Sequence, residues 1–150
     1  FLVNPISGTR TKEKLIAFIT KKVTSAGFLF TIDYTNATGN YTLVKEKVIA
    51  ERFTDIVIVG GDGSVNQIVQ AFAELDLRFG ILPVGSGNGL ARAAGIPTKI
   101  KRALQVIKSY SLTRKKEQLV IAKIIDSLGL DKQQLMQAVS KIRKNDILKK

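Results

Sequence analysis

The central stretch of this chain reads DIVIVGGDGSVNQ from Asp55 to Gln67. It begins with an almost uninterrupted β-branched run, which is typical of a strand buried on both faces of a parallel sheet. After the glycines, Ser64 and Gln67 precede apolar residues at helical spacing, and this pattern predicts a capping box that opens an amphipathic helix. A strand, a glycine turn and a helix N-terminus together present free backbone N–H groups and the positive end of a helix dipole. We therefore expect an anion, above all a phosphate, to bind at this turn.

The turn differs from the common phosphate-binding loops. No Lys-Ser or Lys-Thr pair closes it, so it is not a Walker loop, and it lacks the G-x-G-x-x-G pattern of dinucleotide-binding folds. It also contains Asp62, which a polyphosphate would repel unless a metal ion or a hydroxyl group lay between them. The alternative is a plain tight turn whose glycines supply only backbone freedom. Two adjacent glycines, an acid and a capped helix after a buried strand favour the phosphate site.

Two further motifs lie on either side of this stretch. NPISG follows an opening strand at residues 4–8, and PVGSGNGLAR follows a later strand at residues 83–92. Together with GGDGS at residues 60–64, they resemble three motifs of the diacylglycerol kinase catalytic-domain family, in the same order, and most closely its bacterial lipid kinases. The GGDG pattern alone also occurs in sphingosine kinases, NAD kinases and phosphofructokinases. The resemblance stops at Tyr110.

The resemblance implies ATP and Mg²⁺ as cofactors. The nucleotide-side positions that it implies are Asn4, Ser7, Gly8, Thr38, Gly60, Gly61, Asp62, Gly63, Ser64, Val65, Asn66 and Ser86. Asn40 stands where many relatives have a histidine, and Gly89 stands where many have an aspartate. Asp62 is the only acid inside a motif, and we expect it to organise a metal ion or a phosphate before we expect it to act as a base. No general base for the acceptor hydroxyl is identified; in the relatives the proposed base lies in a β-rich second domain.

By the same resemblance, the expected activity is ATP-dependent phosphorylation of a lipid hydroxyl, diacylglycerol-like or sphingoid, in phospholipid biosynthesis. This chain would carry the nucleotide-binding part, and we expect it to be a poor or inactive kinase alone. One alternative is an NAD kinase-like enzyme, although the second glycine-rich motif matches the lipid kinases better. Another is a non-catalytic module that binds a nucleotide or nucleic acid through its basic tail.

Composition limits the chemistry and the partners of the chain. It has no cysteine and no histidine, which excludes disulfides, thiolate catalysis, imidazole catalysis and the usual zinc sites. The formal charge of +12 favours anionic partners, such as a membrane surface, although a solvated lysine-rich face is an equally good interpretation. With no apolar run near the roughly 20 residues of a membrane span and no signal peptide, we expect a cytoplasmic protein with peripheral membrane contact. Nucleic acid is not expected as a partner, and the oligomeric state is left open.

The apolar pattern predicts a three-layer α/β sandwich, with a mostly parallel, Rossmann-like sheet and helices on both faces. Strands are expected at residues 1–3, 28–32, 55–59 and 78–82, and helices at 15–26, at 43–52, after Ser64 and at 100–110. Because two glycine-rich loops follow consecutive strands, we expect one crevice at the carboxyl edge of the sheet. Residues 1–110 form the predicted ATP-binding domain, and residues 111–150 form a basic helical tail.

Overall fold

The computed structural model describes residues 1–8 and 12–112. The predicted tail at 111–150 lies outside the described residues, apart from its first two positions. The strands are β1 (Leu2–Val3), β2 (Asp33–Tyr34), β3 (Asp55–Gly60) and β4 (Arg78–Pro83). The helices are α1 (Lys12–Thr24), α2 (Thr42–Ala50), α3 (Asp62–Ala71), α4 (Gly89–Ala93) and α5 (Ile100–Leu112). Helix α5 runs past residue 110. The predicted division of the chain into a domain and a tail at that point stays a prediction.

The four strands form one sheet in the order β2-β1-β3-β4, and every pair of neighbours is parallel. Leu2 of β1 lies opposite Ile58, and β4 pairs with β3 along its whole length, from Arg78 opposite Asp55 to Pro83 opposite Gly60. The predicted parallel α/β sheet is therefore confirmed.

The alternation of side chains along β3 divides the core into two clusters. Ile56 and Ile58 pack with buried residues of α2, α3 and α4 on one face of the sheet. Val57 and Val59 pack with buried residues of α1 and α5 on the other face. Because each strand residue alternates between the faces, a β-branched run without polar interruption is what a strand covered on both sides requires. The three layers predicted from the sequence are present.

The strand predicted at residues 28–32 is wrong in position. The pairing with β1 is made by Asp33 and Tyr34, which lie opposite Leu2 and Val3. The apolar residues that suggested a strand instead lie half-buried against the α1 face of the core, while Leu29 is 96% exposed. Their hydrophobicity reflects this packing and not membership of the sheet, because periodicity reports burial and does not report hydrogen-bonded register.

Candidate functional site

The three glycine-containing motifs meet at one edge of the sheet. The strands are all parallel, so their carboxyl ends, and the loops that follow them, lie on the same side. Backbone hydrogen bonds join these loops: Asn4 N–H donates to Val59 O at 2.9 Å, and Val84 N–H donates to Gly60 O at 3.1 Å. Motifs that are far apart in the sequence are therefore side by side in the fold.

The capping box predicted at Ser64 and Gln67 is wrong. Gly61, in an extended conformation, is the N-cap of α3, and Asp62 is already the first helical residue, so Ser64 lies too far into the helix to cap it. The Ser64 side chain is 5% exposed, and its hydroxyl oxygen accepts a hydrogen bond from the Asn4 side-chain amide at 2.8 Å. Ser64 and Gln67 instead make contacts with distant parts of the chain. Ser64 bonds to Asn4, and Gln67 bonds to the segment that contains Asn36 and Tyr41.

The first turn of α3 nevertheless has free donors. Among the described residues, the backbone N–H groups of Asp62, Gly63 and Ser64 have no hydrogen-bond partner. They lie at the positive end of a ten-residue helix, which is the arrangement that attracts an anion. Val65 differs, because its N–H donates to Gly61 O at 3.1 Å and its side chain is 2% exposed in the core. Val65 therefore stabilises the turn through its backbone bond and its packing, and it offers no polar group to a ligand.

The two glycine-rich loops touch through their backbones at Gly61 and Gly85. A side-chain carbon built on Gly85 would lie 2.6 Å from the Cα atom of Gly61, and one built on Gly61 would lie 3.1 Å from the Cα atom of Gly85. Real Cβ atoms do not approach a backbone as closely as 2.6 Å. The absence of a side chain at residue 85 is therefore a condition for this contact.

The carboxylate of Asp62 makes a second connection between these loops. Its Oδ2 atom accepts a hydrogen bond from Gly89 N–H at 2.8 Å, and its Oδ1 atom accepts one from Leu90 N–H at 3.0 Å. Both donors belong to the first turn of α4. The aspartate of the first glycine turn thus caps a helix that follows the second glycine loop.

Asn88 lies between the two loops and was not among the predicted site residues. It is 9% exposed and adopts a left-handed conformation, with φ 50° and ψ 42°. Its side-chain amide donates to Gly85 O at 2.6 Å, and its Oδ1 atom is buried without a hydrogen-bond partner in the described part of the chain. The GSGN pattern marked this residue as polar, but its burial follows only from the contact between the loops.

The loop after β1 is closed by its own side chains. Asn4 Oδ1 accepts from Ile6 N–H at 3.0 Å, and the Ser7 hydroxyl donates to Asn4 O at 3.1 Å. The Lys12 ammonium group, at the start of α1, donates to Ser7 O, and burial lowers the pKa of Lys12 below its ordinary value. Asn4 and Ser7 therefore shape the loop.

A cavity of about 990 Å³ opens beside this loop. It brings together three of the predicted nucleotide residues, namely Ser7, Gly8 and Ser86. Four lysines also line it, and no aspartate or glutamate is found among its described lining residues; the lysines are Lys12, Lys14, Lys99 and Lys101. A cavity with cations and no carboxylate has the electrostatic character that suits an anion.

Thr38 lies in a turn that α3 holds through Gln67. The Thr38 hydroxyl donates to Asn36 Oδ1 at 2.8 Å, which shapes the turn itself. Gln67 Oε1 accepts from the Tyr41 hydroxyl at 2.9 Å, and Gln67 Nε2 donates to Asn36 O at 3.4 Å. Gln67 and Tyr41 were missing from the predicted site, because Gln67 was interpreted as part of a helix cap.

The carboxylates near these loops are few. Within residues 1–8 and 12–112, no group of three or more His, Cys, Asp or Glu could hold a metal ion. Asn66, half-buried on α3, accepts through Oδ1 from the Gln70 side chain at 3.4 Å. A magnesium ion at this edge would therefore need ligands from a bound molecule, which is how Mg²⁺ commonly binds beside one or two carboxylates.

Comparison with known proteins gives one consistent result. Residues 1–118 match the family model of the diacylglycerol kinase catalytic domain. The chain is 36% identical over 114 residues to a diacylglycerol kinase of Bacillus subtilis, covering 73% of this chain and 38% of that protein. It is 31% identical over 108 residues to a diacylglycerol kinase of Staphylococcus carnosus, covering 71% of this chain and 35% of that protein. Its structure is similar to the crystal structure of a diacylglycerol kinase from Bacillus anthracis, with a TM-score of 0.62 and 27% identity, over 73% of this chain and 38% of that one.

Proposed function

The chain belongs to the diacylglycerol kinase catalytic domain family, and from that premise we propose that it carries the nucleotide-binding part of an ATP-dependent lipid kinase. The reaction moves the γ-phosphoryl group of ATP to the hydroxyl oxygen of a diacylglycerol-like or sphingoid lipid, and ADP leaves. The chain spans 38% of the length of the Bacillus subtilis relative. The lipid side of this reaction is therefore proposed from the family and not from the described residues.

The observation that carries the proposal is the pair of glycine-rich loops in backbone contact beside the free N–H groups of α3. The N–H groups of Asp62, Gly63 and Ser64 have no partner among the described residues and point from the positive end of the helix. They are the donors that we assign to the phosphates. Phosphate oxygens are strong acceptors, and backbone donors in a fixed array bind them without ordering long side chains.

The other predicted residues take different roles in this proposal. Ser86 is exposed in the cavity and offers its hydroxyl to the phosphates, while the lysines of the cavity favour their negative charge. Asn4 and Ser7 hold the loop after β1 in shape, since their side chains bond within that loop and to Ser64. We assign Thr38 to the nucleotide site through the turn that Gln67 of α3 holds.

Mg²⁺ accompanies ATP in the proposed site. When bound, the ion would neutralise charge on the phosphates, which lowers the barrier to phosphoryl transfer. Each oxygen of Asp62 accepts one backbone N–H, so lone pairs remain that can face a water molecule of the hydrated ion. The phosphates of ATP would supply the metal ligands that the described residues lack.

The lipid partner and the location of the protein are proposed from the family and from the charge of the chain. In the parts of the chain that the structure describes, no helix is long and apolar enough to cross a membrane. The charge of +12 favours contact with an anionic membrane surface, where a lipid acceptor resides. We therefore propose peripheral contact with the cytoplasmic face of a membrane. No residue of the chain is assigned as the proton acceptor.

Transfer of labelled phosphate from ATP tests this function. The acceptors are diacylglycerol and sphingosine in vesicles, with NAD as the acceptor for the NAD kinase alternative, and the Bacillus subtilis enzyme serves as the positive control. We expect the 150-residue chain to bind Mg-ATP in titration calorimetry but to transfer phosphate slowly. Holding both reactants in place can be worth about 7–11 kcal/mol, and a site that holds only the nucleotide forfeits most of it.

Two results would overturn the proposal. If the chain shows no affinity for ATP, the nucleotide site is absent; if it phosphorylates NAD in preference to lipid, the acceptor class is wrong. A nucleic-acid module would instead show affinity for DNA or RNA that falls steeply with salt. Lipid phosphorylation at the rate of the Bacillus subtilis enzyme would show that the chain needs no further domain.

A further inference from the structure

The side chain of Asp62 has two hydrogen-bond partners within the chain itself. Its two oxygens accept hydrogen bonds from Gly89 N–H and Leu90 N–H, at 2.8 and 3.0 Å. These donors lie 27 and 28 residues further along the chain. Hydrogen bonds from backbone N–H groups to an ionised carboxylate are among the stronger ones in proteins. These two hydrogen bonds give Asp62 a structural task that does not depend on a metal ion.

The start of α4 depends on Asp62 for its cap. Asn88 is the N-cap residue, but it is in the left-handed conformation and its side chain makes no capping hydrogen bond. The first N–H groups of a helix have no partner within the helix and need one from elsewhere. Gly89 and Leu90 find that partner in the first glycine turn. The position of α4 is therefore tied to the position of Asp62.

The contact between the two glycine-rich loops also buries a hydrogen-bond acceptor. Gly61 and Gly85 meet backbone to backbone, and Asn88 Oδ1 is buried near both glycines without a partner among the described residues. An unpaired buried acceptor favours opening of the loops, because opening would let water donate to it. A phosphate cannot relieve it, since phosphate oxygens are acceptors as well. The two hydrogen bonds of Asp62 act against such opening, together with the backbone hydrogen bond from Val84 N–H to Gly60 O.

We propose that Asp62 is a positioning residue that holds the Val84–Asn88 loop against the Gly60–Ser64 turn. By doing so it keeps Gly85, the residue before Ser86, in backbone contact with Gly61 at the start of α3. It acts through the backbone of Gly89 and Leu90, in the presence or absence of a metal ion. The part of this inference that concerns ligand binding rests on the proposed nucleotide function; the part that concerns the loops does not.

Amide hydrogen exchange tests the loop contact without any nucleotide. In Asp62→Ala, the amides of Gly89 and Leu90 should exchange about 10-fold faster than in the parent, while amides of β3 keep their protection. Asp62→Asn should have an intermediate effect, because it retains one acceptor oxygen and serves if the alanine variant does not fold. Asp76→Asn removes the same charge from an exposed position and should change neither amide. Unchanged exchange at Gly89 and Leu90 in both Asp62 variants would overturn the proposal.

Titration calorimetry then separates positioning from metal binding. If Asp62 positions the loop, Asp62→Ala should weaken ATP binding by a similar factor, about 10-fold, with Mg²⁺ and with chelator. If Asp62 is instead a metal ligand, only the affinity for Mg-ATP should fall, and the positioning role would be refuted. Should the parent chain bind no ATP at all, the proposed function fails, while the exchange experiment still decides whether Asp62 holds the loops.

Discussion

The side-chain amide of Asn4 donates a hydrogen bond to the hydroxyl of Ser64 at 2.8 Å, joining the first motif of the chain to the second across 60 positions. Ser64 is 5% exposed, so its hydroxyl has little access to water if Asn4 is removed. Asn4 in turn shapes its own loop, since its Oδ1 atom accepts from Ile6 N–H. The hydrogen bond therefore connects the shape of the Asn4–Gly8 loop with the position of α3.

The first prediction concerns the free energy of unfolding. Asn4→Ala leaves the buried Ser64 hydroxyl without its donor, so we expect a loss of about 1–3 kcal/mol. Ser64→Ala should cost a similar amount, and the double variant should cost less than the sum, because both remove one interaction. Urea denaturation measures all three. Ser86→Ala, at an exposed serine of a neighbouring loop, is the control and should stay within about 0.5 kcal/mol of the parent. Additive effects of the two single changes would show that the two side chains are not coupled.

The second prediction concerns the contact between the glycine loops. Gly85→Ala places a methyl group 2.6 Å from the Cα atom of Gly61, so the loops must separate. We expect destabilisation of about 1–3 kcal/mol, as for overpacking, together with weaker ATP binding. Gly63→Ala is the matched control, because a methyl group there meets no atom within 4 Å and lies in a helix. It should keep or raise the melting temperature, since alanine is favoured over glycine in helices.

The two glycine variants also test where the phosphates lie. If the phosphates approach the first turn of α3, Gly63→Ala should weaken ATP binding although the fold is intact. Calorimetry on a variant with an unchanged or raised melting temperature gives this answer without interference from unfolding. Equal ATP affinity in Gly63→Ala and the parent would place the phosphates elsewhere along the crevice.

The third prediction concerns stability at alkaline pH. Burial raises the pKa of Tyr41 above its ordinary value of 10.0. Below pH 10 the tyrosine is protonated in both the folded and the unfolded chain. Above pH 10 the unfolded chain loses this proton before the folded chain does, so the unfolded state binds fewer protons and the free energy of unfolding falls as pH rises. Tyr41→Phe removes this titration and should lose less stability between pH 9.5 and roughly 11 than the parent does.

Two comparisons make the pH experiment specific to Tyr41. Lys12 has a lowered pKa and contributes with the opposite sign in the alkaline range, but it is present in both proteins and cancels in their difference. Tyr34→Phe, at a tyrosine that is 52% exposed, is the control and should follow the parent curve. At neutral pH, Tyr41→Phe should itself cost about 0.5–1.5 kcal/mol, because the hydroxyl donates to Gln67. Parallel curves for the parent and Tyr41→Phe would contradict the assignment.

The sequence predicted those features that depend on local pattern. The buried run of β3, the stripe of Leu15, Ile19 and Val23 on α1, and the glycine turn that leads into α3 all follow from spacing along one element. Ser64 was misinterpreted because a serine ahead of an apolar helix has the same pattern whether it caps the helix or lies inside its first turn. The structure decides by the conformation of Gly61, which precedes the helix.

Contacts between elements could not be predicted in the same way. The hydrogen bonds of Asp62 to the start of α4 cross 27 and 28 residues, and no local pattern encodes them. From the sequence alone, we expect Asp62 to organise a metal ion or a phosphate. The register of β2 was missed for a related reason, since Phe28 and Phe30 are apolar because they cover the core beside the sheet.

The last prediction concerns Gln67, which holds the turn of Thr38 against α3. Gln67→Ala removes the acceptor of the Tyr41 hydroxyl and the donor to Asn36 O, so the turn loses both of its side-chain bonds to the helix. If Thr38 contacts the nucleotide, ATP affinity should fall about 5- to 10-fold, which corresponds to about 1 kcal/mol or slightly more. Gln70→Ala is the control, because the side chain of this exposed glutamine on the same helix bonds only to Asn66 in the described structure. Calorimetry should find its ATP affinity within about twofold of the parent. Equal affinities in the two variants would mean that the Thr38 turn does not contribute to the nucleotide site, and the site would then be confined to the loops after β1, β3 and β4.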